Sequence, residues 1–136
     1  MGPPPSPPTF PHRELVFDSG TVAACGAGIA WVRRTLDDWN VPADGGDAVL
    51  VAAELLANAA EHAGGILRLS LERRGTLLQI AVTDPSPEPP RMGEHRPDAI
   101  GGHGLFIVDR LTLNRGTRRE GGGKTVWADL PLPSPS

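Results

Sequence analysis

The stretch from Asp44 to Ala63 constrains the fold most, because it predicts a helix that is apolar on nearly every side. Its apolar residues recur at spacings of three and four, which is typical of a helix packed on a core. Glu54, Asn58 and His62 interrupt this surface at intervals of four, so they form one stripe along the helix. Such a stripe is usually the solvated side of a helix. Here it carries no Lys or Arg and its surroundings are apolar, which favours a polar ligand facing the stripe.

The remaining patterns predict an α+β domain. The predicted elements are a strand at 15–17, helices at 21–39 and 44–63, a hairpin of strands at 66–72 and 76–83, a third helix after a glycine-rich turn at 101–104, and a second hairpin of strands at 113–117 and 124–130. Successive hairpins give antiparallel pairing, whereas the apolar helices need a sheet to pack on. We therefore expect a two-layer α/β sandwich, in which three helices cover one face of a mixed, mostly antiparallel sheet.

Length and composition predict one domain with short tails. A chain of 136 residues with 39% apolar residues suits a single core. We predict a disordered proline-rich tail at 1–12, the domain at 13–131 and a flexible tail at 132–136.

Charge and cysteine content restrict the partners and the compartment. The net charge of −3 disfavours direct binding to nucleic acid. Cys25 is the only cysteine, which excludes a disulfide within the chain and is typical of a reducing compartment. It falls in the apolar stripe of the first helix, so we expect a packed thiol. No apolar run reaches the roughly 18 residues of a membrane span, and we expect a cytoplasmic protein.

Two further polar elements could meet the same ligand. Asp84 ends the first hairpin, where Asp-Pro-Ser is ordinary turn chemistry; alternatively, its carboxylate accepts a hydrogen bond from an exocyclic amine such as that of adenine. The glycine-rich turn precedes a helix whose first N–H groups and dipole suit phosphate. On the helix stripe, the Asn58 oxygen suits Mg²⁺, and Glu54 could orient or deprotonate a hydroxyl or water.

Four segments in this order resemble the GHKL ATPase superfamily, which includes gyrase and sensor histidine kinases. The segments are 54–62 (ELLANAAEH), 82–86 (VTDPS), 101–109 (GGHGLFIVD) and 123–128 (GKTVWA). The likeness covers about residues 15–130. It is closest to the stand-alone anti-sigma-factor serine/threonine kinases of bacteria, of the actinobacterial type.

The resemblance implies a Bergerat-type ATPase fold that binds ATP and Mg²⁺. It implies that Asn58 binds the metal, that Glu54 is the general base, and that Asp84 binds the adenine amine. Thr125 would help to fix the adenine, and the segment from Pro85 to Ile100 would form a lid over the nucleotide. The nucleotide-binding residues expected in full are Asn58, His62, Asp84, Ser86, Gly101, Gly102, His103, Gly104, Leu105 and Thr125.

The resemblance also implies a function: a kinase that binds a sigma factor and phosphorylates an anti-anti-sigma (STAS-type) antagonist, with a homodimer as a candidate assembly. Three alternatives remain open: a nucleotide-gated binding switch without catalysis, a detached histidine-kinase catalytic domain acting on another chain, and a domain that binds no nucleotide. The chain departs from the superfamily after Asp84, where Pro85-Ser86-Pro87 replaces the frequent x-Gly-x-Gly. ATP binding is therefore more directly supported than phosphoryl transfer.

Overall fold

The computed structural model describes residues 2, 11–18, 22–41, 46–89 and 104–132. Within them lie five strands and three helices, in the order that the sequence predicts. The elements are β1 (His12–Val16), α1 (Val22–Asp38), α2 (Gly46–His62), β2 (Arg68–Arg74), β3 (Leu77–Asp84), α3 (Gly104–Leu111), β4 (Asn114–Glu120) and β5 (Gly123–Pro131). Two residues assigned to the tails belong to the fold, since His12 begins β1 and Leu132 is buried. Of the two predicted tails, residues 1, 3–10 and 133–136 lie outside the described residues.

The five strands form one sheet in the order β1-β2-β3-β5-β4. Every neighbouring pair in it is antiparallel. The last hairpin folds back so that β5 lies between β3 and β4, which makes β5 a central strand. The predicted α+β sandwich is confirmed, with a sheet that is antiparallel throughout these five strands.

Apolar and polar side chains alternate along the strands, so the sheet has one apolar face and one polar face. The apolar face carries Leu69, Leu71, Leu78, Ile80, Val82, Val126, Ala128 and Leu130, all buried. The helix α2 packs on this face against β3 and β5, and it contacts α1 and α3 on its flanks. Its side chains Val51, Leu55, Leu56 and Ala59 are almost fully buried. The near-continuous apolar surface of α2 therefore reflects its central position in the helical layer.

The helix α1 ends at Asp38, one residue before the predicted boundary, in a cap at Asn40. Asn40 adopts a left-handed conformation with φ of 55°. The Val41 N–H donates to the Leu36 carbonyl at 2.9 Å, and the Asn40 N–H donates to the Asp37 carbonyl at 3.0 Å. This is the Schellman arrangement, which satisfies the last carbonyls of a helix.

Cys25 lies on α1 and packs against the core with part of its surface exposed. Burial raises the pKa of the Cys25 thiol, and the nearby Glu61 carboxylate adds to this effect. The neutral thiol is thus favoured, as expected for a packed cysteine rather than a reactive one. None of the helices within the described ranges is long and apolar enough to cross a membrane.

Candidate nucleotide-binding site

Asp84 lies at the end of β3 and forms a buried ion pair with Lys124, the residue opposite it on β5. The Lys124 Nζ lies 3.0 Å from the Asp84 Oδ1, and the two side chains are 3% and 2% exposed. Both project to the helix-covered face, because they continue the alternation that buries Val82 and Val126. A buried carboxylate is costly without a partner, and Lys124 offsets that cost.

The turn after β3 holds this ion pair in place. The Ser86 N–H donates to the Asp84 Oδ1 at 2.9 Å, which forms an Asx turn. The Lys124 ammonium also donates to the Ser86 carbonyl at 3.3 Å, and the Glu88 N–H donates to the Ser86 hydroxyl oxygen at 3.2 Å. The turn interpretation of Asp-Pro-Ser is thus confirmed. It leaves the binding interpretation open, because both hydrogen bonds that the described residues donate to the carboxylate fall on Oδ1.

The polar stripe on α2 runs toward the same end of the sheet. Glu54 and Asn58 are half-buried, whereas His62 is 43% exposed on its side chain and lies 3.8 Å from the Glu61 carboxylate. Just beyond the helix, a Cβ placed on Gly64 would lie 3.7 Å from the Pro85 ring. The C-terminal end of α2 and the Asp84 turn are therefore neighbours.

Thr125 lies on the opposite face of the sheet from the Asp84 carboxylate. Its hydroxyl is 2.8 Å from the Thr83 hydroxyl, and it donates to the Glu120 carboxylate. Arg68 completes this cluster, since its guanidinium donates to Glu120 at 2.6 Å and to Thr83 at 3.3 Å. The structure therefore brings Lys124, and not Thr125, to Asp84.

Within the cluster on the polar face, hydrogen bonds shift the pKa values of Glu120 and Arg68. Hydrogen bonds from the Thr125 hydroxyl and then from the Arg68 guanidinium hold the pKa of Glu120 below its ordinary value. The hydrogen bond to Glu120 in turn raises the pKa of Arg68. Both side chains are partly exposed, so we assign the cluster a structural role in tying β2 to the β4–β5 hairpin.

The glycine motif lies largely outside the described residues. Gly101, Gly102 and His103 belong to the undescribed segment, whereas Gly104 begins α3 and Leu105 follows it. The predicted helix after the glycine turn is thus confirmed. The predicted lid is described only from Pro85 to Pro89, and its residues 90–100 lie outside.

A groove of about 180 Å³ lies between α2, α3 and the β4 edge. Its lining residues are Leu55, Val108, Arg115, Gly116, Thr117, Val126 and Trp127. None of the predicted nucleotide-binding residues is among them, so we do not place the nucleotide there. In the described part of the chain, no group of three or more His, Cys, Asp and Glu side chains could hold a metal ion.

The sequence matches a family model described as the histidine kinase-like ATPase domain, over residues 19–130. Among curated proteins, no relative matches the sequence.

Solved structures of other proteins share the fold. One of them is the structure of the RsbU and RsbW domains of Rv1364c from Mycobacterium tuberculosis, with a TM-score of 0.68 and 20% identity. The match covers 93% of this chain and 34% of that one, so the chain spans about a third of that protein's length. Another is the catalytic domain of the histidine kinase ThkA, with a TM-score of 0.50, 18% identity, and coverage of 90% of this chain and 95% of that one.

Proposed function

The chain belongs to the histidine kinase-like ATPase domain family, and from this premise we propose that it is an ATP-binding regulatory protein kinase. It would transfer a phosphoryl group from ATP to a serine or threonine of an anti-anti-sigma (STAS-type) antagonist and would bind a sigma factor. The observation that carries the nucleotide assignment is the buried Asp84 at the end of β3, next to the end of the helix that bears Glu54 and Asn58.

The residues present fit a magnesium nucleotide. The Asp84 Oδ2, which receives no hydrogen bond from the described residues, is an acceptor for the adenine amine. The Asn58 side-chain oxygen is a hard ligand of the kind that Mg²⁺ prefers. Bound Mg²⁺–ATP would supply the γ-phosphoryl group together with the charge that neutralises it during transfer.

Glu54 lies one helical turn before Asn58, so the two side chains face the same region. In the proposed reaction, the Glu54 carboxylate would orient the antagonist's hydroxyl toward the γ-phosphoryl group and accept its proton, while the hydroxyl oxygen bonds to the γ-phosphorus and ADP leaves. Gly102 and Gly104 would allow the backbone to approach the phosphates, and the segment from Pro85 to Ile100 would close over the nucleotide.

The partner assignment is supported by two likenesses. The four sequence segments resemble those of the anti-sigma-factor kinases, and the fold is similar to that of a chain that contains an RsbW domain. A sigma factor, the antagonist and a homodimer are therefore the first partners to test.

Transfer of the labelled phosphoryl group from ATP to the antagonist provides the direct test of the proposal. Incubation of the protein with γ-labelled ATP, Mg²⁺ and candidate STAS-type proteins should label one of them on a serine or threonine. An antagonist with that residue replaced by alanine is the matched control and should stay unlabelled. Demonstrated ATP binding without transfer to any cognate antagonist would contradict the kinase assignment and favour the nucleotide-gated switch.

We expect Asn58→Ala to lose the magnesium-dependent part of ATP binding. Removal of an oxygen ligand from a charged centre should weaken binding by about ten- to hundredfold, by analogy with hydrogen bonds to charged groups. Calorimetry with ATP in Mg²⁺ and in EDTA measures this, and Glu61→Ala, an exposed change on the same helix, is the control. Equal Mg²⁺-dependence in wild type and Asn58→Ala would remove the metal assignment.

A further inference from the structure

We propose that Lys124 is a second base-recognising residue, which donates a hydrogen bond to the adenine ring nitrogen N1 while Asp84 accepts one from the neighbouring amine. This inference rests on the proposed ATP binding. It names a contact that the resemblance does not supply, because the resemblance pointed to Thr125.

The hydrogen bonds within the ion pair leave one acceptor and one donor side by side. The Asp84 Oδ1 accepts from Lys124 Nζ and from the Ser86 N–H, and no hydrogen bond from the described residues reaches Oδ2. A lysine ammonium has three N–H donors. Within the described part of the chain, the Asp84 Oδ1 and the Ser86 carbonyl accept two of them. The pair can therefore accept through Oδ2 and donate through the third N–H at the same site.

Adenine carries the complementary groups on adjacent atoms, because its exocyclic amine donates and its neighbouring ring nitrogen N1 accepts. If Asp84 faces the amine, the adjacent ammonium faces N1. Guanine has a carbonyl at the amine position and an N–H at N1, so it would present an acceptor to Asp84 and a donor to Lys124. The pair thus favours adenine through two contacts rather than one.

Burial makes both contacts selective. The Lys124 and Asp84 side chains are 3% and 2% exposed, so little water can replace a missing ligand contact. A donor or acceptor left without its partner in such a place costs its full desolvation penalty. The position of Lys124 is also fixed, since its strand pairs with β3 on one side and β4 on the other.

The test compares ATP with 1-deaza-ATP, in which a C–H replaces N1 and the exocyclic amine is kept. Calorimetry on the full chain with Mg²⁺ should show that wild type binds 1-deaza-ATP at least about tenfold more weakly than ATP. The Lys124→Met variant should bind both nucleotides equally. Arg118→Met, which removes an exposed cation from the strand next to β5, is the control and should discriminate as wild type does.

A second measurement avoids the variant, because Lys124→Met breaks a buried ion pair and could impair folding. Lys124 is the only lysine of the chain, so labelling lysine with ¹⁵N at Nζ gives one ammonium signal by NMR. ATP should shift this signal and slow its proton exchange, whereas 1-deaza-ATP should do neither.

Equal binding of the two nucleotides by wild type would overturn the inference. So would discrimination that persists in folded Lys124→Met, or an ammonium signal that responds alike to both nucleotides. Wild type that binds ATP but fails these tests would keep the proposed function and lose only the role of Lys124. Wild type that binds no ATP would overturn the proposed function, and this inference with it.

Discussion

A Glu54→Ala variant should bind Mg²⁺–ATP nearly as wild type does and transfer phosphate to the antagonist roughly 10²–10⁴ times more slowly. Glu54 is half-buried on α2, one turn before Asn58, and in the proposed site its carboxylate faces the phosphates. Removal of a general base affects the transition state and leaves ground-state binding largely unchanged. Single-turnover transfer of label from saturating ATP measures the rate, and calorimetry measures the binding.

The control for Glu54→Ala is again Glu61→Ala, which removes an exposed carboxylate from the last turn of the same helix, two turns after Glu54, and should leave the transfer rate unchanged. The experiment also separates the two leading functions. A kinase loses turnover in Glu54→Ala, whereas a nucleotide-gated switch keeps ATP-dependent control of its partner. Transfer at the wild-type rate in the variant would exclude Glu54 as the base.

The helix that carries the polar stripe was predictable because it shows its periodicity over four turns. Apolar residues at three- and four-residue spacing form one continuous face that a helix can pack on a sheet, and α2 runs from Gly46 to His62 as this pattern predicts. The end of α1 was predictable for a local reason as well, since Asn tolerates the left-handed conformation that a helix cap needs.

The ion pair between Lys124 and Asp84 was not predictable, because it depends on the register of β5 against β3. In a strand, a shift of one residue moves a side chain to the other face of the sheet. The structure pairs Asp84 with Lys124 and Thr83 with Thr125. The side chains of Lys124 and Thr125 therefore lie on opposite faces of the sheet. The one sequence signal was a single lysine at the start of a largely apolar strand, and its partner could not be inferred from that.

The cluster of Arg68, Thr83, Glu120 and Thr125 was missed for a related reason. Arg68 and Glu120 are 52 residues apart in the chain and meet only because β5 inserts between β3 and β4. The turn signals of a hairpin predict that two consecutive strands pair with each other. They do not predict that the second hairpin pairs with β3 through β5 rather than through β4. Contacts between distant segments on the polar face could therefore not be predicted without the strand order.

The other large effect is expected from Gly123→Ala at the start of β5. A Cβ on Gly123 would lie 2.0 Å from the Asp84 carbonyl oxygen and 2.9 Å from the Pro85 Cα. Both are backbone atoms, so no side-chain rotation can relieve the overlap, and β5 must move away from the end of β3. We expect a loss of about 3 kcal/mol or more in the free energy of unfolding, or a fall in Tm of about 10 °C.

The neighbouring Gly122→Ala is the matched control for this change, because a Cβ there meets nothing within 4 Å. Thermal unfolding of the two variants should therefore separate the steric effect at Gly123 from the general effect of adding a methyl group to the turn. Displacement of β5 also moves Lys124 away from Asp84, so folded Gly123→Ala at low temperature should bind ATP more weakly than Gly122→Ala does. Equal stability of the two variants would mean that β5 does not pack against the Asp84 turn as described, and the base-binding site built on that contact would have to be abandoned.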